Sequence, residues 1–200
     1  TSAGKINRQP CIPGKFGNVE GASNESIACD QVCPLGRFGN VPGKTEVTAA
    51  CPSLCQAGTY GVQEGMTSAA DACGLCTVGH YCLGGENPPV PCPGGKYGDP
   101  DATGKPDEPR ACGHKCPLGR FGNVTGKTEV KAACPNACNA GKFGVKPGEK
   151  DESSACRSCE MGNYCLNGIN ESPCKMGTFG KVEGASNESI ACDQLCPTGR

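Results

Sequence analysis

Residues 33–55 read CPLGRFGNVPGKTEVTAACPSLC, and residues 116–138 repeat them as CPLGRFGNVTGKTEVKAACPNAC with 19 of 23 positions identical. Residues 16–37 recur at 179–200, with 19 of 22 positions identical. Self-similarity at a fixed period, here about 80 residues, is the signature of a repeat architecture. We therefore expect the end of one repeat unit at 1–28, full units at 29–111 and 112–191, and the start of another at 192–200.

A shorter phrase, Cys-x-x-Gly-x-(Phe/Tyr), divides each unit into modules and contains every aromatic residue of the chain. The glycine allows the positive φ of a tight turn. We expect the ring to lie over a disulfide or against the preceding module, because it is the one large apolar group that a module has. The phrase opens at Cys11, Cys33, Cys55, Cys76, Cys92, Cys116, Cys138, Cys159 and Cys174, and a tenth copy begins at Cys196.

The composition argues against an ordinary hydrophobic core. Tryptophan is absent, aromatic residues make up 4%, and 31 glycines and 17 prolines accompany 19 cysteines in 200 residues. Ordering the backbone costs about 1–2 kcal/mol per residue, which such sparse apolar burial does not offset. Disulfides are the expected replacement, and they persist in oxidising compartments, so we expect a secreted or cell-surface protein.

The net charge and the first residues of the sequence bear on the binding partners of the protein and on its processing. The net charge of −1 gives no electrostatic footprint for nucleic acid, and no apolar segment predicts membrane insertion. The sequence begins without methionine or an export signal, so we expect a mature or internal segment of a longer protein. Its last residues match 34–37, which predicts that the repeat continues past Arg200.

The spacing of the cysteines favours local pairing, since most long modules close eighteen residues after they open. Cys196 is left over, and its expected partner lies in a following module. An alternative that joins Cys55 to Cys76 and Cys73 to Cys82, with its equivalent among 138–165, stays open on sequence grounds. The local scheme joins 11–29, 33–51, 55–73, 76–82, 92–112, 116–134, 138–156, 159–165 and 174–192, that is, Cys11, Cys29, Cys33, Cys51, Cys55, Cys73, Cys76, Cys82, Cys92, Cys112, Cys116, Cys134, Cys138, Cys156, Cys159, Cys165, Cys174 and Cys192.

These features predict a small disulfide-rich fold, mostly irregular with short β-hairpins, arranged as an elongated tandem-repeat rod. Three-residue gaps between modules leave little room to flex, so each module is expected to contact only its neighbours. Helix should be minimal, because no segment keeps a 3.6-residue apolar period.

Two segments carry a family resemblance: CGLCTVGHYCLGG at 73–85 and CRSCEMGNYCLNG at 156–168. With the phrase C-x-x-G-x-(F/Y)-G, they resemble the GCC2/GCC3, or ephrin-receptor-like, cysteine-rich module, a relative of tumour-necrosis-factor-receptor and EGF-like repeats. The resemblance implies elongated stalks of the kind found in receptors and in surface proteins of single-celled eukaryotes. The near-identity of the repeats departs from typical receptor ectodomains, whose modules differ from one another.

Four sequons predict N-glycosylation in a secreted chain. Asn24 and Asn187 occupy equivalent repeat positions, which strengthens both, whereas Asn170 is weakened by Pro173 just after its sequon. We predict glycans on Asn24, Asn123 and Asn187, with Asn170 as the weaker candidate.

Other motifs are weaker still. The pair Cys73-x-x-Cys76 lacks the strand and helix of a redox motif and the closed ligand set of a zinc site. Asp99-Pro-Asp101 lacks the terminal glutamate of a calcium loop. His80 and His114 have no recurring Ser or Asp partners. We therefore expect no metal, no cofactor and no catalysis.

The leading hypothesis is a structural component of an extracellular glycosylated filament, surface hair or coat, with copies of itself or further repeats as partners. Equivalent units suit a lattice, and a contact that does not close produces a fibre. The alternative is the stalk of a cell-surface receptor or adhesin whose binding domain lies outside residues 1–200.

Overall fold

The structure is a computed structural model that describes residues 10–17, 24–166 and 168–197. By their contacts, the described residues group into two compact units. Unit 1 takes its described residues from 1–77, 81–90 and 103–110. Unit 2 takes its described residues from 78–80, 91–102 and 111–200.

Strands in the described part of the chain are only two or three residues long and form two-stranded antiparallel sheets. Each sheet joins the strand that follows a turn glycine to the strand just before the next opening cysteine; for example, Phe38 pairs with Ser53. In chain order, the first strand pairs with the second, the third with the fourth, and so on to the last two. The strands are β1 (Lys15–Phe16), β2 (Gln31–Val32), β3 (Arg37–Phe38), β4 (Ser53–Leu54), β5 (Thr59–Gly61), β6 (Cys73–Leu75), β7 (His80–Tyr81), β8 (Val90–Pro91), β9 (Lys96–Tyr97), β10 (His114–Lys115), β11 (Arg120–Phe121), β12 (Asn136–Ala137), β13 (Lys142–Gly144), β14 (Cys156–Ser158), β15 (Asn163–Tyr164), β16 (Ser172–Pro173), β17 (Thr178–Phe179) and β18 (Gln194–Leu195).

A single helical turn of four residues precedes the closing cysteine of each long module. Four residues are too few to show an apolar period, so no periodic signal predicts these turns. They nevertheless agree with the expectation of little helix. The turns are α1 (Glu25–Ala28), α2 (Val47–Ala50), α3 (Ala69–Ala72), α4 (Glu108–Ala111), α5 (Val130–Ala133), α6 (Glu152–Ala155) and α7 (Glu188–Ala191).

Some of these turns are capped by side chains. Asp151 Oδ1 accepts a hydrogen bond from the Ser154 backbone nitrogen at 3.0 Å, which caps α6. The Ser153 hydroxyl, followed by that of Ser154, holds the pKa of Asp151 below its usual value. Because the folded state favours the charged carboxylate, this cap contributes above the ordinary aspartate pKa and is lost as the pH falls through the lowered one.

Cysteine and alanine fill the interior of both units, joined by Phe16 as the one buried large side chain among the described residues. The alanine before each closing cysteine is fully buried in most modules, as at Ala50 and Ala133. No polar or charged side chain of the described residues is buried. Disulfides therefore take the place of a hydrophobic core.

Nine disulfides link the described residues, with Cα–Cα distances of 5.4 to 6.2 Å. They coincide with the local scheme, and the crossed alternative at Cys55 to Cys82 does not occur. Cys196 is exposed and is the free cysteine of the described chain. The expected small, disulfide-rich fold with short antiparallel strand pairs is thus confirmed.

Candidate assembly interface between modules

Three positions recur in the contacts between modules, and each is defined relative to the disulfide. Each module is named after its opening cysteine. The turn glycine lies three residues after it. The loop glycine lies eight residues before the closing cysteine in long modules, as does Gly65, and three residues after it in the two short ones, as does Gly85. Turn and loop glycines both have positive φ, between 61° and 92°.

A backbone hydrogen bond joins each opening cysteine to the module before it. The cysteine N–H donates to the carbonyl oxygen of the preceding turn glycine, for instance Cys33 to Gly14 and Cys116 to Gly95. This bond occurs nine times in the described residues, with nitrogen–oxygen distances of 2.8 to 3.0 Å. It continues the antiparallel strand pair up to the disulfide.

A second hydrogen bond runs from seven of the described modules back to the preceding opening cysteine. The loop glycine N–H donates to that cysteine's carbonyl oxygen, at 2.8 Å from Gly65 to Cys33 and at 2.9 Å from Gly126 to Cys92. Neighbouring modules are therefore joined through the backbone on both sides of the opening cysteine. The donors in the described chain are Gly43, Gly65, Gly85, Gly104, Gly126, Gly148 and Gly184.

The same glycines also join modules that are not neighbours. A Cβ added to the turn glycine Gly14 would overlap the carbonyl oxygen of Gly65, which belongs to the module two further along the chain. We call this arrangement the turn–loop contact. Among the described residues it occurs three times in unit 1 and four times in unit 2, and its pairs are 14 with 65, 36 with 85, 58 with 104, 79 with 126, 95 with 148, 119 with 168, and 141 with 184.

The expectation that each module contacts only its neighbours was therefore wrong. Glycine at the turn removes the side chain that would keep the two backbones apart, so the loop of the next module but one reaches it. Sequence reasoning identified the turn glycines but not the loop glycines. The signal that could have found the latter is their constant spacing to the closing cysteine.

Three of the aromatic rings cover disulfides, and in each case the disulfide belongs to the following module. Phe16 packs on Cys33, Cys51 and Ala50, and Phe121 packs beside Cys138 and Cys156. Tyr97 packs against the Cys116–Cys134 pair and also stacks on His114, with ring centroids 5.1 Å apart. Of the two expected arrangements, these rings show the one over a disulfide. Each of these rings shields the next disulfide from solvent.

Replacing Phe121 with alanine tests this shielding. Because the ring is half-buried, we expect the free energy of unfolding to fall by about 2 kcal/mol, less than for a fully buried phenylalanine. The Cys138–Cys156 disulfide should be reduced faster by dithiothreitol, as measured by peptide mass spectrometry, with Cys116–Cys134 in the same chain as reference. Phe121→Tyr is the matched control and should behave as wild type, since equivalent modules carry Tyr60 and Tyr97. Equal reduction rates for the alanine variant and wild type would contradict the shielding.

Arginine side chains reinforce two closing cysteines at equivalent repeat positions. Arg37 Nη1 donates to the Cys51 carbonyl at 3.3 Å, and Arg120 Nη1 donates to the Cys134 carbonyl at 2.9 Å. Arg37 also pairs with Glu86. These bonds satisfy carbonyl groups left at the ends of the helical turns.

The sequon asparagines differ in their surroundings. Asn24, Asn123 and Asn170 are exposed, whereas Asn187 is half-buried. Asn24 Oδ1 accepts from the Ile27 nitrogen at 3.0 Å, and Asn187 Oδ1 accepts from the Ile190 nitrogen at the same distance. The two repeat-equivalent asparagines thus share one local structure.

The motifs with weaker signals lie apart from any convergent chemistry. Cys73 and Cys76 belong to different disulfides, so they are not a dithiol. His80 Nδ1 lies 3.1 Å from the Val78 carbonyl, and the Asp101 nitrogen donates to Asp99 Oδ1 within an exposed turn.

One group of potential metal ligands occurs in the described residues: Cys159, Cys165 and Glu171. Metal coordination by cysteine requires thiolates, and these two sulfurs form a disulfide. Glu171 accepts a hydrogen bond from the Glu160 nitrogen at 2.8 Å. The donor set does not fit a metal ion.

The fold and its contacts define a class: a disulfide-rich protein of repeated sequence, made of small disulfide-bonded modules. The nine disulfides of the described chain indicate an oxidising, extracellular or secreted environment. No protein-family model matches the chain, and no curated protein sequence matches it. In the part of the chain that the structure describes, none of the helices has the length and apolar character needed to cross a bilayer.

Proposed function

We propose that the chain is a non-catalytic structural component of an extracellular, N-glycosylated filament, surface hair or coat. The GCC2/GCC3-like modules follow one another as a tandem-repeat rod, and further repeats or further copies of the chain are their partners. The turn–loop contacts support this proposal most directly, because the same backbone contact recurs seven times in the described residues with different side chains around it. Because the contact is made by glycine backbones and does not depend on the neighbouring side chains, it can recur along any number of such modules.

Exposed apolar side chains at equivalent positions support lateral assembly. Leu35 and Leu118 are 46% and 47% exposed, and Leu83 and Leu166 are 56% and 65% exposed. Val62 and Val145 form a third such pair. Each repeat unit thus offers the same apolar groups to its surroundings, as subunits of a lattice require.

Electron microscopy of native surface material from cells that make this protein tests the proposal. We expect long filaments with a regular axial period, labelled along their length by an antibody against residues 33–55. The antibody also recognises the near-identical 116–138, so its spacing reports the repeat. Isolated short stalks that end in a globular head would instead favour the receptor or adhesin alternative and would overturn the filament.

A further inference from the structure

The Asn187 side chain is held in a fixed orientation by hydrogen bonds from its own sequon and from the residue that follows it. Its Oδ1 accepts two hydrogen bonds, from the Ile190 nitrogen at 3.0 Å and from the Ser189 hydroxyl at 2.7 Å. Because the carboxamide is planar, fixing Oδ1 also fixes Nδ2 on the other side of the group. Nδ2 is the atom that carries an N-linked sugar.

The Asn187 side chain lines an open groove of about 600 Å³ between two successive modules of unit 2. Tyr164 and Leu166 line it from the Cys159 module, and Lys175 and Thr178 line it from the Cys174 module. The lining thus combines an aromatic ring and an aliphatic side chain with polar groups. A sugar ring has matching surfaces, since its C–H face is apolar and its hydroxyls point outward from the rim.

We propose that Asn187 carries an N-linked glycan whose first sugar lies in this groove, with its C–H face on the Tyr164 ring, and so ties the two modules together. The inference deepens the proposed extracellular role and rests on it. In the modification, Nδ2 attacks the anomeric carbon of a lipid-pyrophosphate-linked oligosaccharide. A nitrogen–carbon bond forms, the carbon–oxygen bond to the phosphate breaks, the lipid pyrophosphate leaves with the electron pair, and one amide proton passes to solvent.

Asn123 serves as an internal control. It is exposed, and it lines neither this groove nor the groove beside Phe16. The two sequons therefore share the chemistry of attachment and differ in the surroundings of the sugar.

The test uses the full 200-residue chain secreted from eukaryotic cells. Ser189→Ala should remove one glycan mass while Asn187 still caps Ile190, and Thr125→Ala should remove the Asn123 glycan. An amidase acting on the folded wild-type chain should release the Asn187 glycan about fivefold more slowly than that of Asn123, as expected for stacking worth about 1 kcal/mol. Tyr164→Leu should abolish the difference, whereas Tyr164→Phe should keep it.

A second measurement does not depend on altering Tyr164, which also belongs to the strand β15. The wild-type glycan is trimmed to a single sugar, and amide exchange is compared with that of Ser189→Ala. The Cys165 amide, which donates to the Ala185 carbonyl at 3.0 Å across the two modules, should exchange more slowly with the sugar present. An unmodified Asn187, equal release rates, or unchanged exchange would each overturn the inference. None of these results affects the filament, which is judged by electron microscopy of native material.

Discussion

Replacing Gly141 with alanine should lower the free energy of unfolding by about 3 kcal/mol, whereas the same change at Gly162 should cost about 1.5 kcal/mol. Both glycines have positive φ, 85° and 79°. A Cβ at position 141 would overlap the carbonyl oxygen of Gly184, while one at position 162 has no atom of the described structure within 4 Å. The difference between the two variants therefore measures the turn–loop contact alone.

Native-state hydrogen exchange can measure this difference in stability between the two variants. Denaturant titration is less suitable, because the unfolding of a repeat protein loses cooperativity. The amides of Cys159 and Cys174 donate to the carbonyl groups of Gly141 and Gly162, at 3.0 and 2.9 Å. We expect exchange to accelerate about 100-fold at Cys159 in Gly141→Ala and about tenfold at Cys174 in Gly162→Ala. Equal acceleration in the two variants would show that packing between next-but-one modules contributes nothing to stability.

Removing the Cys116–Cys134 disulfide by a double alanine substitution should destabilise the chain by about 4 kcal/mol. Opening a loop of 18 residues accounts for about 3 kcal/mol in the chain-entropy model, and the Tyr97 ring, which no longer packs on the two sulfurs, adds about 1 kcal/mol. Removing Cys159–Cys165, which closes a loop of only 6 residues, should cost about 2 kcal/mol by the same entropy term. Substituting both partners avoids leaving a free thiol that could exchange with the other disulfides.

Thermal unfolding of the two double variants, followed by circular dichroism with the remaining disulfides oxidised, provides the comparison. The Cys116/Cys134 variant should unfold at the lower temperature. If the Cys159/Cys165 variant proved the less stable of the two, loop entropy would not govern the contribution of these disulfides, and ring shielding would not add to it.

Much of the framework could be read from residue spacing. The recurring eighteen-residue interval, as between Cys33 and Cys51, favoured local pairing, although the sequence left a crossed pairing among Cys55, Cys73, Cys76 and Cys82 open. The turn glycines could be assigned because a glycine recurs three residues after each opening cysteine and only glycine readily takes positive φ in a tight turn. The small, disulfide-rich fold and its oxidising environment follow from these cysteines and the scarcity of aromatic residues.

Contacts between backbones could not be predicted from residue spacing in this way. A carbonyl oxygen such as that of Gly65 carries no side-chain signature, so its position over Gly14 was invisible in the residue pattern. The single helical turns before the closing cysteines were also too short to show a period. The groove beside Asn187 combines residues of two modules, and only their packing brings Tyr164 and Asn187 together.

The sequence by itself determined the repeat, the modules and their framework of cysteines, because composition shows that apolar burial is sparse and spacing decides which cysteines can meet. Only the tertiary structure decided which modules touch. Aromatic rings shield the disulfide of the next module, and turn glycines meet the loop of the next but one. Those choices depend on how successive backbones pack against one another, and glycine, having no side chain, permits the approach without specifying the partner.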